Sequence, residues 1–263
     1  MNKRTMLLYA AAILVLASCG SSKNTTTTAP PPLAQRIPAK FDYSPPSRVQ
    51  VGSTGITIAM VKPTYVGKNP EYFVNPFNEM AIRMASDFDE LLTAKGFTIR
   101  GPFGSRDEMV YEAKINSSFI LEIGIELNPQ YNRKYITITN SPSFAELMLN
   151  KNATTTYTYK MNGEITLGGN LVIKAKSAQY GELLWTKSIA LDASSFTYAG
   201  QSVWKGIPTM ADELKQDNLV YNTLSSELEK VYLKALSLAW QQIDAAEMKT
   251  IAEQGKKADK RGS

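Results

Sequence analysis

Apolar residues recur along much of the chain with regular spacing, and the spacing predicts which segments form helices and which form strands. In residues 75–96 they fall three or four positions apart, on one face of a helix: Phe77, Met80, Ala81, Met84, Phe88, Leu91 and Leu92. Asn75 can cap this helix, Pro76 suits its first turn and Gly96 can end it. The segment is therefore predicted to be a helix that buries one face.

A second period, in which every other residue is apolar, predicts strands. Residues 118–127 alternate apolar side chains with Glu122, Gly124 and Glu126, which is typical of a half-buried strand. The same kind of evidence predicts strands at 55–61, 97–100, 133–139, 155–161, 164–176 and 183–191, and a short helix at 106–116. Because the strands of the middle region follow one another closely, an antiparallel meander is expected there.

A long helix is predicted at the C-terminal end, over residues 217–254. Its apolar stripe consists of Val220, Leu224, Leu228, Val231, Ala235, Ala239 and Ile243. The basic residues 256–263 are expected to form a disordered tail. The pattern as a whole predicts one α/β domain over residues 41–255, with a mixed or antiparallel sheet, helices on one face and a long C-terminal helix.

The N-terminal residues indicate export and lipidation. Lys3 and Arg4 precede a short apolar run, which ends in the sequence Leu-Ala-Ser-Cys at residues 16–19. This is the pattern of a bacterial lipobox, in which the Cys19 thiol accepts a diacylglyceryl group; a plain signal peptide is the alternative. We expect residues 1–18 to be removed and residues 19–40, rich in Thr and Pro, to form a flexible tether. Position 20 is Gly rather than Asp, which favours the outer membrane.

Composition excludes several kinds of chemistry. The 263-residue chain has no His and one Cys, so a Ser-His or Cys-His nucleophile, a disulfide and the usual kind of zinc site are excluded. The net charge of +5 is only mildly basic, and together with export it argues against nucleic acid as a partner. We therefore expect no cofactor and no metal.

One short motif could suggest an enzyme. Residues 202–205, with Ser202 and Lys205 at its ends, match the Ser-x-x-Lys pattern of penicillin-recognising enzymes, in which the Lys activates the Ser. The Lys-Thr-Gly sequence that accompanies this pattern is absent, so the motif is incomplete. The chain is accordingly expected not to be an enzyme.

The body of the chain resembles a known family. The features that carry the resemblance are the lipobox, residues 41–43 (FDY) before the first strand, 91–97 (LLTAKGF) at the end of the first helix, 161–164 (MNGE), and the Lys-rich C-terminal helix. Together they look like the neuraminyllactose-binding haemagglutinin family of outer-membrane lipoproteins. The resemblance implies a lipid-anchored protein that binds sialylated glycans.

The family's proposed sialic-acid motif, Lys-Arg-Thr-Ile-Gln-Lys, corresponds here to residues 133–138 (RKYITI). The resemblance therefore implies Arg133, Lys134, Tyr135 and Thr137 as glycan-binding residues. Strand periodicity places Arg133, Tyr135 and Thr137 on one face and Lys134 on the other. A guanidinium for the carboxylate, a ring for stacking and a hydroxyl suit a sialoside. The alternative is an ordinary strand with a charged start.

Two functions follow from these observations. The first is a non-enzymatic, lipid-anchored outer-membrane protein that binds sialylated glycans as an adhesin. The second is an accessory lipoprotein of envelope assembly that works in the periplasm through contacts with other proteins.

Overall fold

The computed structural model describes residues 34–150 and 152–261. Its strands are β1 (Thr57–Val61), β2 (Thr64–Tyr65), β3 (Thr98–Phe103), β4 (Phe119–Leu127), β5 (Gln130–Asn140), β6 (Thr156–Lys176) and β7 (Leu183–Ala199). Its helices are α1 (Phe77–Ala94), α2 (Tyr111–Ile115), α3 (Phe144–Leu149), α4 (Met210–Gln216), α5 (Asn218–Gln242) and α6 (Ala245–Arg261). A 3-10 turn covers Pro70–Phe73. None of the described helices is both long enough and apolar enough to span a bilayer.

The strands form one mixed sheet in the order β3-β1-β4-β6-β5, with β2 paired to β4 and β7 paired to β6. β1 is parallel to both β3 and β4, whereas β6 is antiparallel to β4, β5 and β7. β4 and β5 pair with successive halves of β6, so they act as one long strand interrupted at residues 128–129. The predicted α/β fold with a mixed sheet is confirmed.

The alternation in β4 determines which of its side chains enter the main core. Leu121, Ile123 and Ile125 are at most 2% exposed and belong to a cluster that includes residues of α1 and α5. Glu122 and Glu126 on the opposite face remain partly exposed, as the period of two requires. Ile120 is also buried, in a small second cluster with Ala59, Val61, Met109 and Ala178.

Several elements differ from the predicted ones in extent. α1 begins at Phe77 after Pro76, and Asn75 makes no capping hydrogen bond. β3 runs through Gly101 and Pro102, where a break was expected. It lies at the edge of the sheet, where a proline that lacks an N–H group is tolerated. β7 extends to Ala199, and α3 was not predicted.

The C-terminal region consists of two helices, whereas the sequence predicted one. α5 ends at Gln242, and Oδ1 of Asp244 accepts hydrogen bonds from the backbone N–H groups of Ala246 and Glu247, at 2.8 and 3.1 Å, at the start of α6. α6 continues to Arg261, so residues 256–261 are helical where a disordered tail was expected. Burial of Ala258 explains why the helix persists into this basic segment.

Residues 34–40 also differ from the expected flexible tether, because they lie against α5. The backbone N–H groups of Ile37 and Lys40 donate to Asn222 Oδ1 and Glu229 Oε1, at 2.8 and 2.7 Å. The guanidinium of Arg36 lies 4.1 Å from the centre of the Tyr221 ring. The predicted signal peptide, Cys19 and the rest of the tether lie outside the described residues.

Candidate functional site

The predicted glycan-binding residues lie on β5, and their side chains point to both faces of the sheet. Arg133 and Tyr135 share the face that the helices cover, and Nη1 of Arg133 donates a hydrogen bond to the Tyr135 hydroxyl at 3.3 Å. Lys134 lies on the opposite face and is exposed. Thr137 follows Tyr135 along the strand, pairs with Tyr159 of β6 and is exposed. The strand therefore brings Arg133 and Tyr135 together but leaves Lys134 apart from them.

The guanidinium of Arg133 is held inside the protein by α4. Its Nη1 lies 3.2 Å from Oε1 of Glu213 and donates to the carbonyl oxygen of Pro208 at 3.1 Å. The Arg133 side chain is 17% exposed and that of Glu213 is 0% exposed. The guanidinium also lies 5.0 Å from the centre of the Tyr131 ring. In this arrangement the guanidinium serves an internal ion pair rather than a ligand at the surface.

Local sequence features place Glu213 opposite Arg133. Thr209 and Asp212 form a capping box at the start of α4: the Thr209 hydroxyl accepts from the N–H group of Asp212, and the Asp212 carboxylate accepts from Thr209. Glu213 is the next residue and faces inward.

The Tyr198 ring of the same cluster packs against a glycine of the neighbouring strand. A Cβ at Gly163 would lie within 2.8 Å of Tyr198 ring atoms, so glycine leaves the space that this ring occupies.

Burial changes the ionisation of this cluster. Loss of solvent raises the pKa of the Glu213 carboxyl group from 4.5 to about 7; the Arg133 charge opposes the rise, and the carboxylates of Asp217 and Asp212 add to it. Burial likewise raises the pKa of the Tyr198 hydroxyl, and the nearby Glu213 charge raises it further. Neither oxygen of Glu213 has a hydrogen-bond partner despite the proximity of Arg133.

The outer face of the same strands carries a polar surface. Direct cross-strand pairing forms two rows, one of Lys134, Asn162 and Ala199 and one of Asn132, Glu164 and Thr197. Residues of both rows line a cleft of about 590 Å³. Within the described residues, Lys134 takes part in no ion pair, so its ammonium group is available to an anionic ligand. We refer to these two rows as the outer polar rows.

The Ser-x-x-Lys motif does not form the arrangement that its chemistry needs. The backbone of Ser202 donates to Oδ2 of Asp217 at 2.8 Å, and Trp204 forms a backbone bridge with Tyr159 of β6. In the part of the chain that the structure describes, no hydrogen bond joins the Ser202 hydroxyl to the Lys205 amine. Through these two contacts the segment joins the chain that follows β7 to β6 and to the start of α5.

A second concave region, about 710 Å³ in volume, lies beside α1 and was not predicted from the sequence. Its lining includes Pro63 and Tyr65 just after β1, Ile82 of α1 and Pro102 of β3. The carboxyl ends of parallel strands are a common place for ligands in α/β sheets. Sequence reasoning missed this region because its lining comes from separate segments, and it missed Glu213 because 80 positions separate Glu213 from Arg133.

The mixed sheet, the buried ion pair and the outer polar rows define an α/β protein with an exposed polar surface on its sheet. No family model and no curated protein matches the sequence. Among solved structures, the chain is similar to a neuraminyllactose-binding haemagglutinin homologue from Helicobacter pylori, at 10% identity and a TM-score of 0.47, covering 81% of this chain and 98% of that one.

Two further solved structures are similar over much of their length, with lower TM-scores. One is the hypothetical protein CT253 from Chlamydia trachomatis, at 9% identity and a TM-score of 0.21, covering 69% of this chain and 97% of that one. The other is the rare lipoprotein B from Shewanella oneidensis, at 6% identity and a TM-score of 0.22, covering 73% and 98%.

Proposed function

We propose that the protein is a non-enzymatic lipoprotein, anchored in the outer membrane through Cys19, that binds acidic glycans on the outer polar rows. The lipobox at residues 16–19 supports the anchor, because the only Cys of the chain stands at the position that the lipid-transferring reaction requires. The absence of His, together with the missing hydrogen bond between Ser202 and Lys205, supports a binding role rather than catalysis.

The placement of Lys134 is the observation that carries the glycan proposal. A sialoside presents one carboxylate and several hydroxyl groups. On the outer polar rows, Lys134 supplies a cation for the carboxylate. The amides of Asn132 and Asn162, the Thr197 hydroxyl and the Glu164 carboxylate supply donors and acceptors for the hydroxyl groups.

The structure changes which residue is expected to hold the carboxylate. The resemblance implied both basic residues, and strand periodicity favoured Arg133 because it shares a face with Tyr135. Arg133 is instead held between the buried Glu213 and the carbonyl oxygen of Pro208, and releasing it to a ligand would leave these acceptors without their partner. Lys134 is therefore the cation we assign to glycan recognition.

Titration of the purified full chain with sialyllactose tests this proposal. Replacing Lys134 with Ala removes a charge-assisted hydrogen bond of roughly 1.5 to 3 kcal/mol, so the affinity should fall by about ten-fold or more. The matched control is Lys174→Ala. It removes an exposed lysine of β6 that lies on the same outer face of the sheet but does not line the cleft. This control should bind sialyllactose as the parent does.

The two functions make different predictions in the same experiment. If the parent chain binds no sialyllactose, the glycan proposal fails for this ligand, and the accessory role through protein contacts gains support. If Lys134→Ala and Lys174→Ala lose affinity equally, the attraction is a general effect of positive charge, and the assignment of the site to the outer polar rows is wrong.

A further inference from the structure

β5 and β6 extend beyond the rest of the sheet as a two-stranded arm. We define the arm as residues 135–140 of β5 with 156–161 of β6; their pairing ends at Asn140 and Thr156. β7 stops at Ala199, opposite Asn162. Beyond that point, among the described residues, the segment after β7 reaches the arm through the hydrogen bond from Gly200 N–H to the Met161 carbonyl oxygen and through the backbone bridge between Tyr159 and Trp204. At about 3.3 Å per residue the arm is about 17 Å long.

The distal end of the arm carries a short helix whose large side chains are exposed. α3, which we call the tip helix, exposes four large apolar side chains by between 44% and 89%: Phe144, Leu147, Met148 and Leu149. None of its residues is buried. Several large apolar side chains exposed on one short element are typical of a site of contact with a protein or a membrane.

The polar groups of this region are few and largely satisfied. Ser143 and Glu146 form a capping box: the Glu146 carboxylate accepts from the Ser143 N–H group at 2.7 Å, and the Ser143 hydroxyl accepts from the Glu146 N–H group at 3.3 Å. Between residues 136 and 159 the sequence has only two charged residues, Glu146 and Lys151. Such a segment can leave water at lower cost than an ordinary polar surface loop.

The arm also carries side chains that suit the boundary of a bilayer. Ile136 and Ile138 on one face are 58% and 38% exposed, and Tyr157 is 49% exposed. Tyrosine is enriched at the level of lipid headgroups, because its ring is apolar and its hydroxyl is polar. Lys160 lies opposite Ile136, nearer the body, where an ammonium group would meet headgroup phosphates.

The chain that leads to the lipidation site enters the described body at the base of this arm. The Ala34 N–H group donates to Gln201 Oε1 at 3.0 Å, and Asn218 Nδ2 donates to the Ala34 carbonyl oxygen at 2.8 Å. The neighbouring N–H group of Gly200 donates to the carbonyl oxygen of Met161, where the arm begins, at 2.8 Å. Ala34 therefore lies at the same end of the sheet as the arm.

The chain before Ala34 is long enough for an acylated Cys19 and the tip helix to reach the same membrane. Fifteen positions separate Cys19 from Ala34, and a chain of that length reaches at most about 50 Å. The arm is shorter than that reach. An acylated Cys19 would therefore permit the tip helix to contact the bilayer that holds the acyl chains.

We infer that the tip helix inserts into the surface of the bilayer in which Cys19 is anchored, so that the protein contacts the membrane at two points. This inference rests on the proposed lipid anchor. A bilayer fits the tip better than a protein groove, because the exposed apolar side chains occupy more than one side of the helix and a lipid surface can surround them all.

A fluorescent probe at the tip tests the inference in the full lipidated chain. The single native cysteine is blocked by acylation, so Leu147→Cys provides one reactive thiol for an environment-sensitive dye. In vesicles of phosphatidylcholine with phosphatidylglycerol, we expect a blue-shifted dye that nitroxide-labelled lipids quench and aqueous iodide does not. Tyr180→Cys is the control; it is exposed and follows the far end of β6, so iodide should quench its dye.

Charges at the tip provide a second comparison. In the Leu147→Cys chain, Met148→Asp with Leu149→Asp should withdraw the dye from the bilayer, so that iodide reaches it. Because α3 has no buried residues, these changes should leave thermal unfolding unaltered. Flotation of the protein with vesicles reports the Cys19 anchor separately from the position of the dye.

Two results would overturn the inference while leaving the anchor intact. In the first, the protein floats with vesicles but iodide quenches the Leu147→Cys dye as strongly as the Tyr180→Cys dye. In the second, neither quencher reaches the tip dye, which would mean that a second copy of the chain covers the tip. A protein that fails to float refutes the anchor instead.

Discussion

The carboxyl group of Glu213 is fully buried beside Arg133, and its ionisation is therefore coupled to folding. Burial holds the pKa of this group at about 7, against an ordinary value of 4.5. Between these two values the folded chain retains a proton that the unfolded chain has released. The stability that this proton contributes is complete below pH 4.5 and is lost as the pH rises through 7.

This coupling predicts the pH dependence of the stability. Because one pKa unit corresponds to about 1.4 kcal/mol, the free energy of unfolding should fall by about 3 kcal/mol between pH 4.5 and 8 on account of Glu213. Glu213→Gln should flatten this part of the curve, measured by urea unfolding across that range. Glu164→Gln, at an exposed position, is the control and should follow the parent. Parallel curves for the parent and Glu213→Gln would contradict the prediction.

The residue pattern could predict which side chains of β5 share a face, but not which of them would be paired inside the protein and which would remain exposed. The period of two placed Arg133 and Tyr135 on one face of β5, and the structure confirms this. The same period cannot show which element covers that face, because the covering residue Glu213 lies 80 positions further along the chain. For the same reason the sequence did not show that Arg133 would be paired internally while Lys134 remained exposed.

Among the elements, the long periodic segments were predicted well, whereas the short helices α3 and α4 were missed. α1 and β4 bury a regular stripe, and such a stripe is visible in the sequence. α3 and α4 have six and seven residues, too few to show a helical period. Each nevertheless begins with a capping box, Ser143 with Glu146 and Thr209 with Asp212, and this spacing is a local signal that the sequence contains.

The same kind of signal explains the division of the C-terminal helix. The apolar stripe continues from α5 to Ile243, which favoured one long helix. Asp244 and Glu247 nevertheless have the three-residue spacing that is typical of a helix start, and Asp244 indeed accepts hydrogen bonds from the first turn of α6. In this region a capping signal was a better guide to the boundary than the hydrophobic period.

The alternation of β4 gives a prediction at the level of the element. Ile123→Asp places an unpaired charge in the core, which should cost more than about 4 kcal/mol and unfold the domain. Glu122→Gln changes the neighbouring residue on the other face, where it loses only a partly exposed ion pair with Lys176, worth less than about 1 kcal/mol. Urea unfolding of both variants measures the difference, and similar losses would show that both faces of β4 contribute equally.

At the scale of the whole molecule, Ala34, where the described chain begins, and the tip helix lie at one end of the sheet. The chain enters the body beside Gln201, and the arm begins at the neighbouring Met161. The outer polar rows lie along the same strands, towards the body from the arm. If the tip contacts the membrane, a glycan on the outer polar rows would be bound close to the lipid surface, within reach of headgroup sugars.

Removing the acylated thiol tests the contribution of the anchor to membrane binding. Cys19→Ser should abolish incorporation of labelled fatty acid, because the chain contains no other cysteine. Two or three acyl chains, at about 0.8 kcal/mol per buried methylene, hold a protein far more strongly than four exposed side chains on a short helix. The variant should therefore leave the membrane fraction. Ser21→Ala, two positions away, should retain both label and membrane association; labelled Cys19→Ser protein would contradict the lipobox assignment.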